Sequence, residues 1–309
     1  MKRLLALALI SAAVPALAQG GAPFTVQETG RGYGSLQQAV DAIGGGSGTI
    51  IIAPGRYRQC AAQHDGDIAF VAAEPGTAVL DGVACEGKAA LVLDGRRARV
   101  EGLVFQNLRV PDANGAGIRL ESGNLVVRES MFRDSESGIL SAADPGSSIL
   151  VERSTFSGLG RCDRGLSCAH SIYIGDYGAL AVRRCRFERG RGGHYVKSRA
   201  PRIEVSDSSF DDSAGHTTNY MVDLPAGATG TIARNVFVQG ADKENYSGLI
   251  VVGAEGVKHS AAGLAVEGND ASLAPAMEHG TTFLVDYTGD RLRLGTNRLG
   301  PRIARFETR

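Results

Sequence analysis

From residue 98 onward the chain repeats one short phrase: apolar, any, apolar, two residues, a small or polar residue, any, aromatic. Ala98, Val100, Leu103 and Phe105 give the first copy, and Leu125, Val127, Ser130 and Phe132 the second. Ile149, Val151, Ser154, Phe156; Leu180, Val182, Cys185, Phe187; and Ile203, Val205, Ser208, Phe210 follow. Gly230, Ile232, Asn235, Phe237; Leu264, Val266, Asn269, Ala271; and Leu292, Leu294, Asn297, Leu299 complete the series. Successive copies advance by 23 to 34 residues. Each copy alternates with period two and bends once, which predicts two short strands. No helical run separates the copies, so strand–helix–strand units are excluded. Repeats built of strands and turns alone bury their inner face only by stacking on neighbours. The expected architecture is an all-β parallel β-helix, three-sided, with one coil per repeat and coils over about 48–299.

Stacked coils lie ~4.8 Å apart, so equivalent positions become columns. Phe105, Phe132, Phe156, Phe187, Phe210 and Phe237 should form an interior aromatic stack. Ser130, Ser154, Cys185, Ser208, Asn235, Asn269 and Asn297 should form an interior polar ladder at the bend. Cys185 is thereby read as a small buried residue and not as a nucleophile. A third strand per coil has inward anchors at Ile118, Ile139, Ile172, Val196, Val222 and Ile250. The residues just after them point outward: Arg119, Leu140, Tyr173, Lys197, Asp223, Val251. Arg199 belongs to a second outward column, three residues after the anchors, otherwise occupied by Glu121, Ala142, Gly175, Pro225 and Gly253. His170, His194 and Tyr220 open three consecutive third strands, two residues before the anchor. Seven functional side chains thus converge over two coil spacings, ~10 Å. Any one of them is more simply a surface ion pair or a satisfied core group. The cluster stands out because its columns are bland on either side.

Composition narrows the partners. Lys plus Arg equals Asp plus Glu at 33 each, so no global field favours nucleic acid, and none is expected as a partner. The 42 glycines fit many tight turns. Met1-Lys2-Arg3 followed by the apolar run Leu4–Leu17 and Ala16-Leu17-Ala18 reads as a signal peptide over 1–18. The alternative is an uncleaved anchor, although the run is short for a span. The mature chain, 19–309, is then a single exported domain, periplasmic or secreted, with no membrane span, and a monomer is expected. Export permits disulfides. Cys162 and Cys168 bracket the polar loop Asp163–Ser167 and can staple it, and no C-x-x-C motif occurs. Arg183–Arg202 holds seven Arg and one Lys against Glu188, a local positive patch suited to an acidic substrate. Gly158–Ala169 and Ala241–Gly263 are surplus lengths beside the cluster, the kind of excursion that walls a groove.

Ser35–Ile43 has an N-cap serine, helical apolar spacing and a Gly44-Gly45-Gly46 stop, which predicts a short helix capping the solenoid. This helix, the strand after it and Ala53-Pro54-Gly55-Arg56-Tyr57 resemble the opening of the pectate-lyase-like right-handed β-helix superfamily. That resemblance covers nearly all of the mature chain and implies a right-handed coil. It sets Cys60 and Cys85 about one coil apart, as a disulfide between early turns. His194-Tyr195-Val196-Lys197-Ser198-Arg199 is similar, over a few residues, to the family-six polysaccharide lyases, chondroitinase B and alginate lyases. There a Lys and an Arg act on uronate sugars. Those enzymes place the Arg on a following coil, and their calcium-binding Asn/Glu motif is not visible here. No cofactor is therefore expected, with calcium left open. The Lys197–Arg199 and Asp223–Pro225 segments also resemble many exported β-helix proteins of no assigned reaction.

The leading expectation is β-elimination on a uronate-containing polysaccharide. Arg199 would neutralise the carboxylate, Lys197 would remove the C5 proton, and Tyr173 or His170 would protonate the leaving oxygen. His194 and Tyr220 would hold substrate. Asp223 beside Lys197 would keep that lysine charged, which moves the base to Tyr173 or His194. A glycoside hydrolase needs two carboxyls, and only Asp223 stands in the column; Asp176, Asp211 and Asp212 are read as turn or loop residues. The third expectation is acidic-glycan binding without catalysis.

Overall fold

The computed structural model describes residues 21–309; the expected leader, 1–18, lies outside them. Three sheets of 12, 10 and 10 strands run side by side among the described residues. Past the antiparallel opening strands Phe24–Val26 and Arg31–Tyr33, every ladder is parallel and joins a strand to its counterpart one coil away. This is the parallel β-helix expected from the repeats. The coils continue past Leu299 to a last strand, Ile303–Thr308, which pairs with Thr281–Asp286. This strand belongs to the third sheet and follows the last copy of the repeated phrase, which covers only the first two strands of each coil.

The interior columns follow the pattern closely. Phe105, Phe132, Phe156, Phe187, Phe210 and Phe237 stack with ring centroids 4.7–4.9 Å apart. Offset stacking of that kind adds to the area each ring buries. The polar ladder satisfies backbone donors at the bend. Ser130 N donates to Ser154 Oγ (3.2 Å), Cys185 N to Ser208 Oγ (3.0 Å) and Asn235 N to Asn269 Oδ1 (3.0 Å). Cys185 is buried and free. Just before the first five ladder residues the backbone turns left-handed, at Glu129, Arg153, Arg184, Asp207 and Arg234, with φ of 47° to 57°, and Gly268 does the same before Asn269. One such residue re-aims the strand from one sheet to the next, and in all but the last of these a non-glycine residue bears that strain.

The helix spans Leu36–Ile43 and buries Leu36, Ala39 and Val40 against the first coil. Ser35 occupies the cap position, but its hydroxyl makes no capping bond. The Leu36 N–H donates instead to Gln59 Oε1 at 2.9 Å. Disulfides join Cys60 to Cys85 and Cys162 to Cys168. The basic patch, by contrast, is dispersed: Arg183 pairs with Glu204, Arg186 with Glu188 and Arg191 with Asp134. The bends between sheets spread those arginines over different faces, so of the cations in that run only Lys197 and Arg199 line the cleft described next.

Candidate functional site

Third-sheet register sets the site. Ile172, Val196, Val222 and Ile250 pair in sequence and are fully buried. Their neighbours Tyr173, Lys197 and Asp223 therefore stand in one row on the other face of the sheet. Arg199 follows on the same chain as Lys197. His170, His194 and Tyr220 form a parallel row of stacked rings, with centroids 5.0 and 5.3 Å apart. Five of the seven, His170, Tyr173, His194, Lys197 and Arg199, line one cleft of about 490 Å³, together with Cys168, Asn219, Glu244 and Glu255, while Asp223 stands behind Lys197 and Tyr220 against the His194 ring. Gly193 makes the close approach possible. Its φ is +62°, and a methyl group there would fall 2.6 Å from His170 Nδ1. The His194 N–H can then donate to His170 Nδ1 at 2.9 Å. That bond leaves Nε2 as the proton carrier of a neutral His170.

The cleft is more buried than an outward column suggests. Lys197 is 7% exposed and Asp223 2%. Lys197 Nζ lies 3.0 Å from Asp223 Oδ2, and His194 Nε2 lies 3.4 Å from the same oxygen. A second carboxylate, absent from the column, arrives from the loop after Val252. Glu255 accepts from both Lys197 Nζ and Arg199 Nη2. Arg199 Nε also donates to Tyr173 Oη at 3.0 Å. Sequence reasoning missed Glu255 because loops carry no period. The surplus length Ala241–Gly263 was the one signal that something from this side would reach the cleft.

Burial and charge set the protonation states. Burial pulls the His170 imidazole down to about 3, reinforced by the Lys197 cation. His194 is likewise held well below the usual range, chiefly by burial, and both rings stay neutral. Burial also opposes a charged Lys197, yet Asp223 and Glu255 together raise its pKa. It is therefore an ammonium ion and not a free base, as the Asp223 neighbour foretold. Burial lifts Asp223 to about 6 despite Lys197. Glu255 is depressed: the hydrogen bonds from Lys197 and Arg199 outweigh its partial burial. Asp223 Oδ1 and His194 Nδ1 are buried without a hydrogen-bond partner, which is unusual in a finished core.

Asp212, read from the sequence as a turn residue, is fully buried. It accepts from Tyr195 Oη (2.6 Å), Thr218 Oγ1 (2.8 Å) and Lys243 Nζ (3.1 Å). Lys243 Nζ also donates to the Asn219 carbonyl at 2.5 Å, so this network holds the segment leading to Tyr220. Asp176 and Asp211 lie outside the cleft. One group among the described residues has metal-ligand proximity, namely Cys162, Cys168 and Glu244. Its two sulfurs are already bonded to each other, leaving no thiolate to bind an ion.

Fold and register together define a parallel β-helix that carries a charged cleft on its third sheet. The profile of the right-handed β-helix region matches residues 84–271, more than half the chain, and the protein belongs to that family. No curated protein matches the sequence. Among solved structures, the chain is similar to the pectin methylesterase of Aspergillus niger: 13% identity, TM-score 0.54, covering 90% of this chain and 91% of that one. It is also similar to a rice weevil pectin methyl esterase: 10% identity, TM-score 0.51, covering 74% of this chain and 80% of that one. At such identities the likeness is one of fold.

Proposed function

We propose that this protein acts on an acidic glycan, cleaving a uronate-containing polysaccharide by β-elimination in the cleft around Tyr173, Lys197 and Arg199. The observation that carries this reading is the convergence of two cations, Lys197 and Arg199, on one carboxylate beside the Tyr173 hydroxyl. A uronate carboxylate in that position would have its charge neutralised, which acidifies the C5 proton. Tyr173 Oη is the oxygen that Arg199 Nε–H holds beside the carboxylate position, and Tyr173 is assigned as base. Tyr173 oxygen takes the C5 proton, and the electron pair forms the C4=C5 double bond. The C4–O4 bond breaks, and O4 recovers a proton from the same phenol. Lys197 is reassigned from base to electrostatic partner, since its two carboxylates keep it charged. His170, neutral and presenting Nε2–H, together with His194 and Tyr220, forms the wall against which the sugar lies.

The glycan-binding reading has further support. Across the Cys162–Cys168 loop a second cleft of about 720 Å³ is lined by Arg109, Arg161, Arg164 and Arg191 together with Glu136 and Asp163; Arg161, Arg164 and Arg191 are already ion-paired, which leaves Arg109 as the arginine best placed for a further carboxylate of a chain. Two disulfides fit an oxidising, exported environment, and no helix among the described residues is long and apolar enough to cross a membrane. Solved relatives of the same fold include pectin methylesterases. Hydrolysis is the second reading, because Asp223 and Glu255 form a carboxyl pair with pKa values pushed apart. It ranks lower because Asp223 is sealed beneath Lys197 at 2% exposure, out of reach of a sugar. Incubation with a panel of polyuronates, followed by absorbance of the unsaturated uronate, tests the proposal. Product should appear and be lost in Tyr173→Phe. Binding without any product reduces the protein to a glycan-binding module.

A further inference from the structure

We infer that Glu255 is a built-in occupant of a carboxylate seat formed by Lys197 and Arg199, and that it leaves the seat when a substrate carboxylate enters. The inference rests on the reading that this cleft takes an acidic ligand, and it adds how the resting site is kept closed to other anions.

Three observations distinguish Glu255 from Asp223, the other carboxylate on Lys197. The first is exposure. The Asp223 side chain is 3% exposed and that of Glu255 43%, so Asp223 has no water to move into and Glu255 has. Ion pairs with that much solvent are weak and are exchanged readily. The second is charge. Lys197 and Arg199 supply two positive charges, and Asp223 and Glu255 two negative ones. A ligand carboxylate added to this balanced set would leave an excess anion in a half-buried cleft. Release of Glu255 restores the balance, with the ligand in its place.

The third observation is how the loop is tied. Gly253 N donates to Leu224 O (2.9 Å), Glu255 N to Pro225 O (3.1 Å) and Lys258 N to Ala226 O (2.9 Å). The loop backbone is thus laced to the coil beneath it through the segment after Asp223. Only the Glu255 side chain has to swing. Its rotation opens the face of Arg199 beside Tyr173, where the reacting sugar is placed. Glu255 then acts as an internal competitor: anions too weak to displace it are refused, and polyuronates, with several carboxylates, are accepted.

Calorimetric titration of sodium acetate, glucuronate and trigalacturonate into the native protein, Glu255→Ala and Glu255→Gln tests this directly. Removing an occupant of the seat should tighten glucuronate and trigalacturonate binding roughly five- to tenfold. The methyl-esterified trisaccharide, which lacks the charge, should show no such gain. Unchanged or weaker binding of every carboxylate probe, in variants that melt like the native protein, would overturn the inference and make Glu255 a ligand of the substrate. If Glu255→Ala unfolds, the isosteric Glu255→Gln gives the same reading. A binding gain with no unsaturated product from any form leaves the seat standing and removes the elimination chemistry. A gain for acetate and glucuronate alone leaves the seat standing and removes the polysaccharide.

Discussion

Two buried lysine–aspartate pairs lie in adjacent parts of this solenoid, and they differ in how completely they are finished. Asp212 and Lys243 have side chains 0% and 1% exposed. Tyr195, Thr218, Gly240 and Lys243 donate to the carboxylate, and Lys243 also caps the Asn219 carbonyl. Asp223 and Lys197 are nearly as buried, at 3% and 9%, yet one Asp223 oxygen and one His194 nitrogen lack partners. Lys197 shares its charge with a carboxylate half in solvent, and the pair borders an open cleft. A satisfied buried network specifies structure. One left incomplete beside a cleft marks the place where burial and unbalanced hydrogen bonding perturb protonation.

The largest effect separates the pairs by stability. Asp212→Ala leaves Lys243 buried and uncompensated, and should destabilise the fold by about 3–5 kcal/mol in denaturant unfolding. Lys197→Ala should be far milder, because Asp223 titrates near neutrality and can take up a proton. Equal losses from both variants would erase the distinction. In turnover the order reverses. Lys197→Ala should lower elimination by roughly a hundredfold to a thousandfold, the usual effect of removing one preorganised charge, as read from product absorbance. Arg199→Lys should lower kcat about tenfold and raise KM as well, because a lysine cannot keep one donor on the carboxylate and another on Tyr173 Oη.

The smallest effect is on pH. Folded Asp223 has a pKa of about 6, above the unfolded value, because burial penalises its charge. Its stabilising contribution is therefore complete below the unfolded pKa and is lost as pH rises through about 6. In the cleft, protonation leaves Lys197 and Arg199 facing Glu255 alone. Polyuronate binding should thus tighten a few-fold as pH falls through 6. The step should vanish in Asp223→Asn and survive in His170→Gln, since His170 titrates only near 3. A step that follows the histidine would contradict the assignment.

Backbone periodicity made most of this architecture legible. Alternation of period two and one bend per coil are local properties, and stacking repeats them, so Phe105 to Phe237 and Ser130 to Asn297 could be aligned from residue types alone. The same register put Tyr173, Lys197 and Asp223 on neighbouring strands of one sheet. A shift of one residue would have turned each to the other face. What alternation cannot carry is depth. Lys197 belongs to an outward column, and only the rings of His170, His194 and Tyr220 and the reach of Glu255 decide that it is nearly sealed. Glu255 itself follows a strand by three residues, in a loop whose path depends on hydrogen bonds to Leu224, Pro225 and Ala226. Loop geometry, burial and the resulting pKa values depend on distances between coils remote in sequence. The order of residues therefore determined the solenoid and the face of the cluster, and the packing of those coils decided which lysine stays charged, which aspartate has its pKa raised by burial and which glutamate fills the seat.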